Sequence, residues 1–267
     1  MVVFHTADDS LYERQSRILG SRFNIPSELF ETPTYYLAHP ELAREKGVED
    51  FEQVLSRARQ WLRRLFEEER LIVADINGIA PSFPALGRYV TDIRKKFPEK
   101  NIIVLEDNFH LLEMPGFGKD AGEAKIAAAS HFMKQLCTGQ QVTVLATMEL
   151  PKSALERGKR PYYTNVKGTG AIQYDVNANW GCHNDMADLG DEVMIVWEDH
   201  EHQQAVQSAG VDYMESTKMP ILEVIVDKNK ISGFKGTLFF KMWPLSGRIE
   251  ECSPDEMERY EEFLECL

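Results

Sequence analysis

The sequence predicts an α/β protein with a three-layer α/β/α core, a mostly parallel sheet and antiparallel strands toward the carboxyl terminus. Short β-branched runs alternate with amphipathic helical stretches as far as Thr147, and this alternation is typical of a parallel sheet covered by helices on both faces. Three of the runs lead directly into a carboxylate. Several strand-like runs then follow one another in the last third of the chain, which favours antiparallel pairing there.

Helices and strands are recognised by the period of their apolar residues. Residues 49–70 carry a continuous apolar face, and residues 10–20 form a shorter helix with Arg14 and Arg17 on its exposed side. Pro98 ends a third helix before the next strand. Helices are predicted over residues 10–20, 49–70, 86–97 and 124–137. Strands are predicted over residues 2–6, 71–74, 101–105, 142–147, 180–183, 193–197, 221–227 and 236–242.

Polar and turn-rich segments separate these elements. Residues 24–48 contain three prolines and are predicted as turns, and residues 112–124 form a loop with glycine and proline. A polar segment occupies residues 151–170, and a hydrophilic insertion lies around residues 198–215.

Two regions are predicted along the chain. Residues 1–248 form the core, and residues 249–267 form an acidic helical tail that contains the capping box Ser253-Pro254-Asp255-Glu256. The tail fits either a solvated amphipathic helix or a docking surface for a partner or a neighbouring subunit.

Composition excludes several classes of protein. The chain has 267 residues, of which 43% are hydrophobic, and this is enough to bury a full core. No run approaches the roughly 18–20 apolar residues of a membrane span. Four widely spaced cysteines without a C-x-x-C pair favour reduced thiols in a cytoplasm. The net charge of −13 argues against a generally basic surface but allows a local basic channel for nucleic acid.

Acidic residues follow three of the predicted parallel strands. Asp8-Asp9, Glu106-Asp107 and Glu149 each stand just beyond a strand, and parallel sheets bind ligands beyond the carboxyl ends of their strands. Clustered acids there suit Mg²⁺ and a polarised water, which is the chemistry of nucleotide hydrolysis. Each acid also has a simpler interpretation: Asp8 as a helix cap, Asp107 as part of a solvated turn, and Glu149 as a surface turn residue.

Basic residues occur in two groups. The polar segment interleaves cations with Tyr162 and Tyr163, a composition that suits single-stranded nucleic acid or, alternatively, a solvated loop. Its cations are Lys152, Arg157, Lys159, Arg160 and Lys167. Lys228 and Lys230 alternate along a strand end and would therefore point the same way. They fit either a contact with a transferring phosphate or a solvated strand edge.

The sequence contains no G-x-x-x-x-G-K-[ST] phosphate loop. Its Gly-Lys pairs are Gly118-Lys119 and Gly158-Lys159, and neither is followed by Ser or Thr. We therefore interpret Gly116–Lys119 as an ordinary loop.

These segments together resemble the C-terminal RecA-like motor domain of DnaB-type replicative helicases (superfamily 4), in particular its phage-like branch. VVFHTADDS resembles the strand that carries the catalytic base, NIIVLEDNF the magnesium strand, and VTVLATMEL the sensor strand. RPYYTNVKGTGAIQYDVNANWGCHND resembles the DNA-loop motif, which is the most specific match, and IVDKNKISGFKG resembles the trans-acting strand.

The resemblance runs in order over roughly residues 2–242 and implies site roles. It places Asp8 on the catalytic base, usually Glu in the family, and Asp107 on the acid that binds magnesium and nucleotide. Glu149 stands at the sensor position, usually Gln in bacterial members. Lys228 and Lys230 would contact the nucleotide from a neighbouring subunit. Lys230 stands where many members have an arginine finger and lacks its bidentate fork.

The resemblance also implies partners and cofactors. ATP and Mg²⁺ are expected at the subunit boundary of a ring, which we expect to be a hexamer, with single-stranded DNA in its pore. The expected DNA contacts are Lys152, Arg157, Lys159, Arg160, Lys167, Gly168 and Gly170, with the 112–124 loop nearby. We expect a core truncated at its N-terminal side that needs a phosphate loop from another segment or chain, and negligible ATP hydrolysis by this chain alone. The alternative is a catalytically inactive RecA-like DNA-binding or regulatory subunit.

Overall fold

The structure, a computed structural model, describes most of the chain and divides it into two compact units. The described residues are 1–6, 10–74, 81–118, 121–150, 160–161, 170–184, 195–196 and 218–266. Unit 1 comprises residues 1–151 and 164–177, and unit 2 comprises residues 152–163 and 178–267. These unit boundaries differ from the boundary between residues 248 and 249 that the sequence suggested.

A four-stranded parallel sheet forms the centre of unit 1. Its strands are β1 (Val2–Thr6), β2 (Leu71–Val73), β3 (Ile103–Asp107) and β4 (Thr143–Ala146). The order across the sheet is β2-β1-β3-β4, and every pairing is parallel. The parallel sheet predicted from the sequence is therefore confirmed, and the carboxyl ends of all four strands lie at one edge.

Helices cover both faces of this sheet. They are α1 (Leu11–Phe23), α2 (Ser27–Glu31), α3 (Pro33–Ala38), α4 (Pro40–Glu45), α5 (Phe51–Glu67), α6 (Phe83–Lys96) and α7 (Gly122–Gln140). The short α8 (Gly170–Asp175) packs against α7. Val3 is buried in a core with α6 and α7, whereas Val2 packs against a second core built by α1 to α5. Successive residues of one strand thus face opposite helical layers, which is the predicted three-layer arrangement.

The segment at residues 24–48 differs from the prediction, because it folds as three short helices rather than as turns. Pro33 and Pro40 stand at the first positions of α3 and α4, where a missing backbone N–H costs nothing and the fixed φ suits a helix. Prolines therefore start helices here instead of preventing them.

Unit 2 contains an antiparallel sheet and the C-terminal helix. Its elements are β5 (Ala178–His183), β6 (Ile195–Val196), β7 (Lys218–Met219), β8 (Ile221–Asn229), β9 (Gly236–Trp243), β10 (Arg248–Glu251) and α9 (Pro254–Cys266). The main sheet has the order β10-β9-β8-β5 with antiparallel neighbours, as predicted for the last third of the chain. Strands β6 and β7 pair separately.

Helix α9 begins with the predicted capping box and packs on this sheet. The Glu256 carboxylate accepts from the Ser253 N–H at 2.7 Å, and the Ser253 hydroxyl accepts from the Glu256 N–H at 3.3 Å. Tyr260 is buried in a small core with Ile221 and Cys252. The capping box is confirmed, and the acidic tail is a packed part of unit 2.

Candidate functional site

Hydrogen bonds around Asp107 join the carboxyl ends of β3 and β4. The Thr147 hydroxyl, just beyond β4, donates a hydrogen bond to the Asp107 carboxylate. The Thr147 N–H donates to the Glu106 carbonyl at 2.9 Å, and the Phe109 N–H donates to the Thr147 carbonyl at 3.0 Å. Thr6, the last residue of β1, is in register with Asp107. A carboxylate and a hydroxyl are thus fixed together at the sheet edge.

Glu149 is held at the same edge by the turn after β3. The Asn108 amide donates to the Glu149 carboxylate at 3.3 Å, and the Asn108 side-chain oxygen accepts from the His110 N–H at 3.0 Å. The Glu149 N–H donates to the His110 ring at 3.3 Å. The structure therefore brings Asp107 and Glu149 together, with Thr147, Asn108 and His110 between them.

Buried ionisable groups lie directly beneath this edge. His5 Nδ1 and Glu106 Oε2 are 2.6 Å apart, and Glu106 is only 1% exposed. Burial raises the pKa of the Glu106 carboxyl, and the hydrogen bond from His5 acts in the opposite direction. The Arg14 guanidinium, 2% exposed, donates to the Thr6 carbonyl at 3.0 Å. These groups tie α1, β1 and β3 to one another below the acids.

Sequence reasoning missed the burial of these groups. The predictions that Glu106 stands among the acids of the sheet edge and that Arg14 is exposed are wrong, because both side chains are buried. An amphipathic pattern assigns every arginine to the solvent face, whereas Arg14 lies against the Phe4 ring at 5.3 Å. The alternation of β1 does place His5 on the face opposite Phe4 and Thr6. It gives no sign that His5 meets Glu106, which is distant in sequence.

Several predicted site residues lie outside the described residues. They are Asp8, Lys152, Arg157, Lys159, Lys167 and Gly168. Gly170 is described: it is exposed and forms the first residue of α8. In α8, Ile172 is buried, and the Asp175 carboxylate accepts from the Ser130 hydroxyl at 2.9 Å and from the Lys134 ammonium at 3.3 Å. The Gly-Ala-Ile-x-x-Asp stretch is therefore a short helix anchored on α7.

Arg160 forms a bidentate ion pair within unit 2. Its Nε and a terminal nitrogen lie 2.6 and 2.7 Å from the two carboxylate oxygens of Glu223, whose side chain is 2% exposed. The Tyr260 hydroxyl also donates to Glu223, at 2.7 Å. This geometry gives Arg160 a structural role that the sequence did not suggest, and its role as a DNA contact stays a prediction.

The two lysines of the predicted trans-acting strand differ in position. Lys228 lies on β8 opposite Asn179 of β5, whereas Lys230 follows the end of β8 in a turn. The strand therefore extends two residues beyond the predicted range, through Lys228, and Lys230 lies just past its end. That the two lysines point the same way stays a prediction. Their contact with nucleotide from a neighbouring subunit stays a prediction.

Comparisons with known proteins agree with this geometry at the level of the fold. No protein-family model and no curated protein matches the chain by sequence. A solved structure of a DnaB-like replicative helicase, described with its interactions with primase, superposes with a TM-score of 0.68 at 19% identity. The match covers 95% of this chain and 52% of the helicase, so the chain spans about half its length.

A second solved structure, the ATPase domain of G40P, gives the same TM-score and identity over 95% of this chain and 75% of that domain. The chain has the fold of a DnaB-like helicase ATPase domain. The predicted RecA-like fold is thereby confirmed, whereas the phage-like branch and the missing phosphate loop stay predictions. None of the helices in the described ranges combines the length and apolar character needed to cross a bilayer.

Proposed function

We propose that the chain is part of the motor of a ring-forming replicative DNA helicase, which couples ATP hydrolysis to translocation on single-stranded DNA in the cytoplasm. The observation that carries the proposal is the arrangement of Asp107, Thr147 and Glu149 at the carboxyl edge of a parallel sheet with this fold. Ligands of such sheets bind at this edge, and carboxylates there suit a metal-bound triphosphate.

Asp107 and Thr147 offer the donor set for Mg²⁺. Mg²⁺ prefers oxygen ligands and is usually held by one or two carboxylates together with substrate phosphates. The joined carboxylate and hydroxyl fit this requirement, although no group of three or more His, Cys, Asp or Glu within the described ranges has metal-site spacing. When bound, the ion would neutralise charge on the phosphates during transfer.

The remaining roles extend the proposal to other residues. Asp8 would act as the general base that orients the attacking water, and Glu149 would sense the phosphates or hold that water. The Asn108 amide and the His110 ring hold Glu149 in place. Lys228 and Lys230 would contact the phosphates from the neighbouring subunit of the ring.

The phosphate loop, in this proposal, comes from a segment or chain outside these 267 residues. Within the described residues β4 pairs only with β3, which leaves the backbone groups along its other edge without a strand partner there. A further parallel strand at this open edge would end beside Thr147. The loop after such a strand would lie near Asp107 and Glu149. We therefore place the missing phosphate loop beside β4.

ATP hydrolysis tests the proposal. The purified chain should show no turnover above that of its Asp107→Ala variant, because loop amides and lysine normally supply most of the phosphate grip. A protein with a strand, a G-x-x-x-x-G-K-[ST] loop and a helix joined before Val2 should hydrolyse ATP with Mg²⁺ and respond to single-stranded DNA. Asp107→Asn should lower this rate about 100-fold.

Asp92→Asn is the matched control, because Asp92 is an exposed acid on α6 and its loss should leave the rate unchanged. Turnover by the original chain that disappears in Asp107→Ala would contradict an external phosphate loop. No turnover in the loop-supplied protein, once folded, would contradict the motor.

The second candidate is a catalytically inactive RecA-like subunit that binds DNA or regulates a partner. The absence of G-x-x-x-x-G-K-[ST] from the sequence favours it. Single-stranded DNA binding without hydrolysis in both proteins would support this candidate over the motor.

A further inference from the structure

Tyr174 on α8 exposes a large aromatic ring. The residue is 78% exposed, more than any other large apolar or aromatic residue in the described ranges. Single exposed apolar residues are normal on protein surfaces, so this exposure does not by itself indicate a binding site. Three further features, two of the helix and one of the sequence before it, distinguish Tyr174.

Helix α8 is anchored on α7, although it has only six residues. Ile172 is 2% exposed, and the Asp175 carboxylate accepts hydrogen bonds from Ser130 and Lys134 of α7. Helices this short are marginal in water on their own, so these contacts hold the backbone on both sides of Tyr174. The ring is therefore presented from a fixed position, which lowers the entropy lost when a ligand binds.

The exposed side of α8 has open space one turn before the ring. Gly170 stands four residues before Tyr174, and residues at this spacing lie on the same face of a helix. Gly170 is exposed, and a Cβ atom added there would meet no side chain of the described residues within 4 Å. Among the described residues, nothing therefore prevents a flat group from lying over this turn.

The sequence before α8 has the composition of a segment that binds single strands. The polar segment interleaves five cations with two tyrosines, and such residues suit phosphates and bases respectively. Lys167 precedes Gly170 by three residues, which span at most about 10 Å. The helix then rises by about 6 Å to Tyr174. The predicted cation and the exposed ring are thus close enough to contact one strand.

A nucleobase matches this aromatic ring. Every base has a flat π face, so that stacking on an aromatic side chain tolerates any sequence. In a duplex these faces are covered by the neighbouring bases, and uncovering one costs free energy. An exposed ring therefore favours single strands. The DNA contacts predicted from the sequence are cations and glycines, which are residue types that contact the phosphate backbone.

We propose that Tyr174 is a stacking platform for a base of single-stranded DNA. The proposal rests on the proposed function for the identity of the ligand and adds a base contact to it. The ring binds DNA and takes no part in ATP hydrolysis. A contact with a second subunit is the other role that suits an exposed tyrosine, and the association state of the chain separates the two.

Fluorescence anisotropy of a labelled oligothymidylate measures this contact on the full-length chain without nucleotide. Tyr174→Ala removes the ring, whereas Tyr174→Phe keeps the ring and removes the hydroxyl. Tyr35→Ala is the matched control, because Tyr35 is a 52% exposed tyrosine on α3. An abasic strand of the same length keeps the phosphates and lacks the bases. Far-ultraviolet circular dichroism establishes that every variant is folded.

Tyr174→Ala should bind oligothymidylate about 5- to 100-fold more weakly, which is the usual effect of losing one stacked base. Tyr174→Phe should stay within about twofold of the unaltered chain, because phenylalanine also stacks on bases. Tyr35→Ala should bind as the unaltered chain does. On the abasic strand, Tyr174→Ala and the unaltered chain should bind equally. The slope of log affinity against log salt should not change, because no phosphate contact is lost.

Undiminished binding by Tyr174→Ala, or an equal loss in Tyr174→Phe, would overturn the stacking contact and leave the proposed function standing. An equal loss on the abasic strand would overturn it in favour of a phosphate contact. Weaker self-association of Tyr174→Ala in sedimentation, together with loss on both strands, would overturn it in favour of a subunit contact. No binding by the unaltered chain would overturn the DNA binding of the proposed function together with this contact.

Discussion

A single buried carboxylate in unit 2, that of Glu223, links three segments of the chain by hydrogen bonds. Glu223 lies on β8, is almost completely buried, and receives hydrogen bonds from Arg160 and Tyr260. A buried carboxylate is tolerated only when its charge is compensated and its oxygens are bonded. The planar guanidinium of Arg160 compensates the charge of Glu223 and donates to both of its oxygens. The two residues are 63 positions apart in the sequence.

Replacing Arg160 should therefore destabilise the protein. Arg160→Ala leaves Glu223 charged and buried without its partner, and we expect a loss of about 3–5 kcal/mol in the free energy of unfolding measured with urea. Arg44→Ala is the control, because the Arg44–Glu49 pair is 4.0 Å apart and exposed, and it should cost less than about 0.5 kcal/mol. Unchanged stability with weakened DNA binding would instead assign Arg160 to the DNA contacts.

The cations of the polar segment are tested by the salt dependence of DNA binding. Their joint replacement by alanine should weaken single-stranded DNA binding, and the slope of log affinity against log salt should shrink by about 0.7 for each phosphate that the variant no longer neutralises. Alanine at Lys95 and Lys96 should leave the slope unchanged. An unaltered slope in the multiple variant would contradict the predicted role of these cations. The replaced residues are Lys152, Arg157, Lys159 and Lys167.

At the scale of elements, one arginine closes the ends of two helices. Arg94 in the last turn of α6 donates to the carbonyls of Gln140 and Gln141 at the end of α7, at 2.8 and 2.7 Å. It also donates to the Pro98 and Lys100 carbonyls, at 3.0 and 2.8 Å. Carbonyls at helix ends lack partners within the helix, and a cation there also complements the dipole.

Arg94→Lys should show that this geometry requires the guanidinium. An ammonium group cannot reach two separate helix ends at once, so we expect a loss of about 2 kcal/mol in the free energy of unfolding. Lys95→Ala, on the exposed side of the same helix, should change it by less than about 0.5 kcal/mol. Equal effects of the two substitutions would contradict this account. They would show that water replaces the guanidinium as hydrogen-bond donor to the helix-end carbonyls.

The junction between β10 and α9 makes a prediction about cysteine reactivity. Burial raises the pKa of the Cys252 thiol to about 11, and the nearby Glu256 carboxylate acts in the same direction. Because the thiolate is the reactive form, alkylation of Cys252 at pH 8 should be at least about 100-fold slower in the folded protein than in urea. Mass spectrometry of peptides measures both rates. Similar rates would mean that α9 detaches readily from the sheet.

The sequence predicted the elements better than their ends and contacts. The apolar face of α5 and the β-branched runs were sufficient for the long helices and strands, because periodicity directly reflects burial. The short helices at residues 27–45 were missed, because three prolines in a polar stretch usually indicate turns. Proline is also common at the start of a helix, and the sequence pattern alone does not distinguish the two cases. Arg94 and Arg160 were not recognised, because their partners are brought close only by the tertiary fold.

At the scale of the whole molecule, the site depends on strand order. Asp107 and Glu149 are 42 residues apart in sequence and meet because β3 and β4 are parallel neighbours. Their convergence was predictable, since parallel strands bring their carboxyl ends to one edge. Thr147 and Asn108, which join the two acids, were not predicted, because a hydroxyl or an amide after a strand has no distinctive pattern. The end of β8 was placed two residues too early, at residue 227, because periodicity does not mark where pairing stops.

The most direct test of the proposed nucleotide site is the position of its metal ion. Crystals of the loop-supplied protein with Mn²⁺ and a non-hydrolysable ATP analogue would locate the ion by anomalous X-ray scattering. The predicted result is an ion that contacts the Asp107 carboxylate or the Thr147 hydroxyl, at about 2–2.5 Å, and a phosphate of the analogue. Bound nucleotide with its ion away from this edge of the sheet would contradict the proposed site.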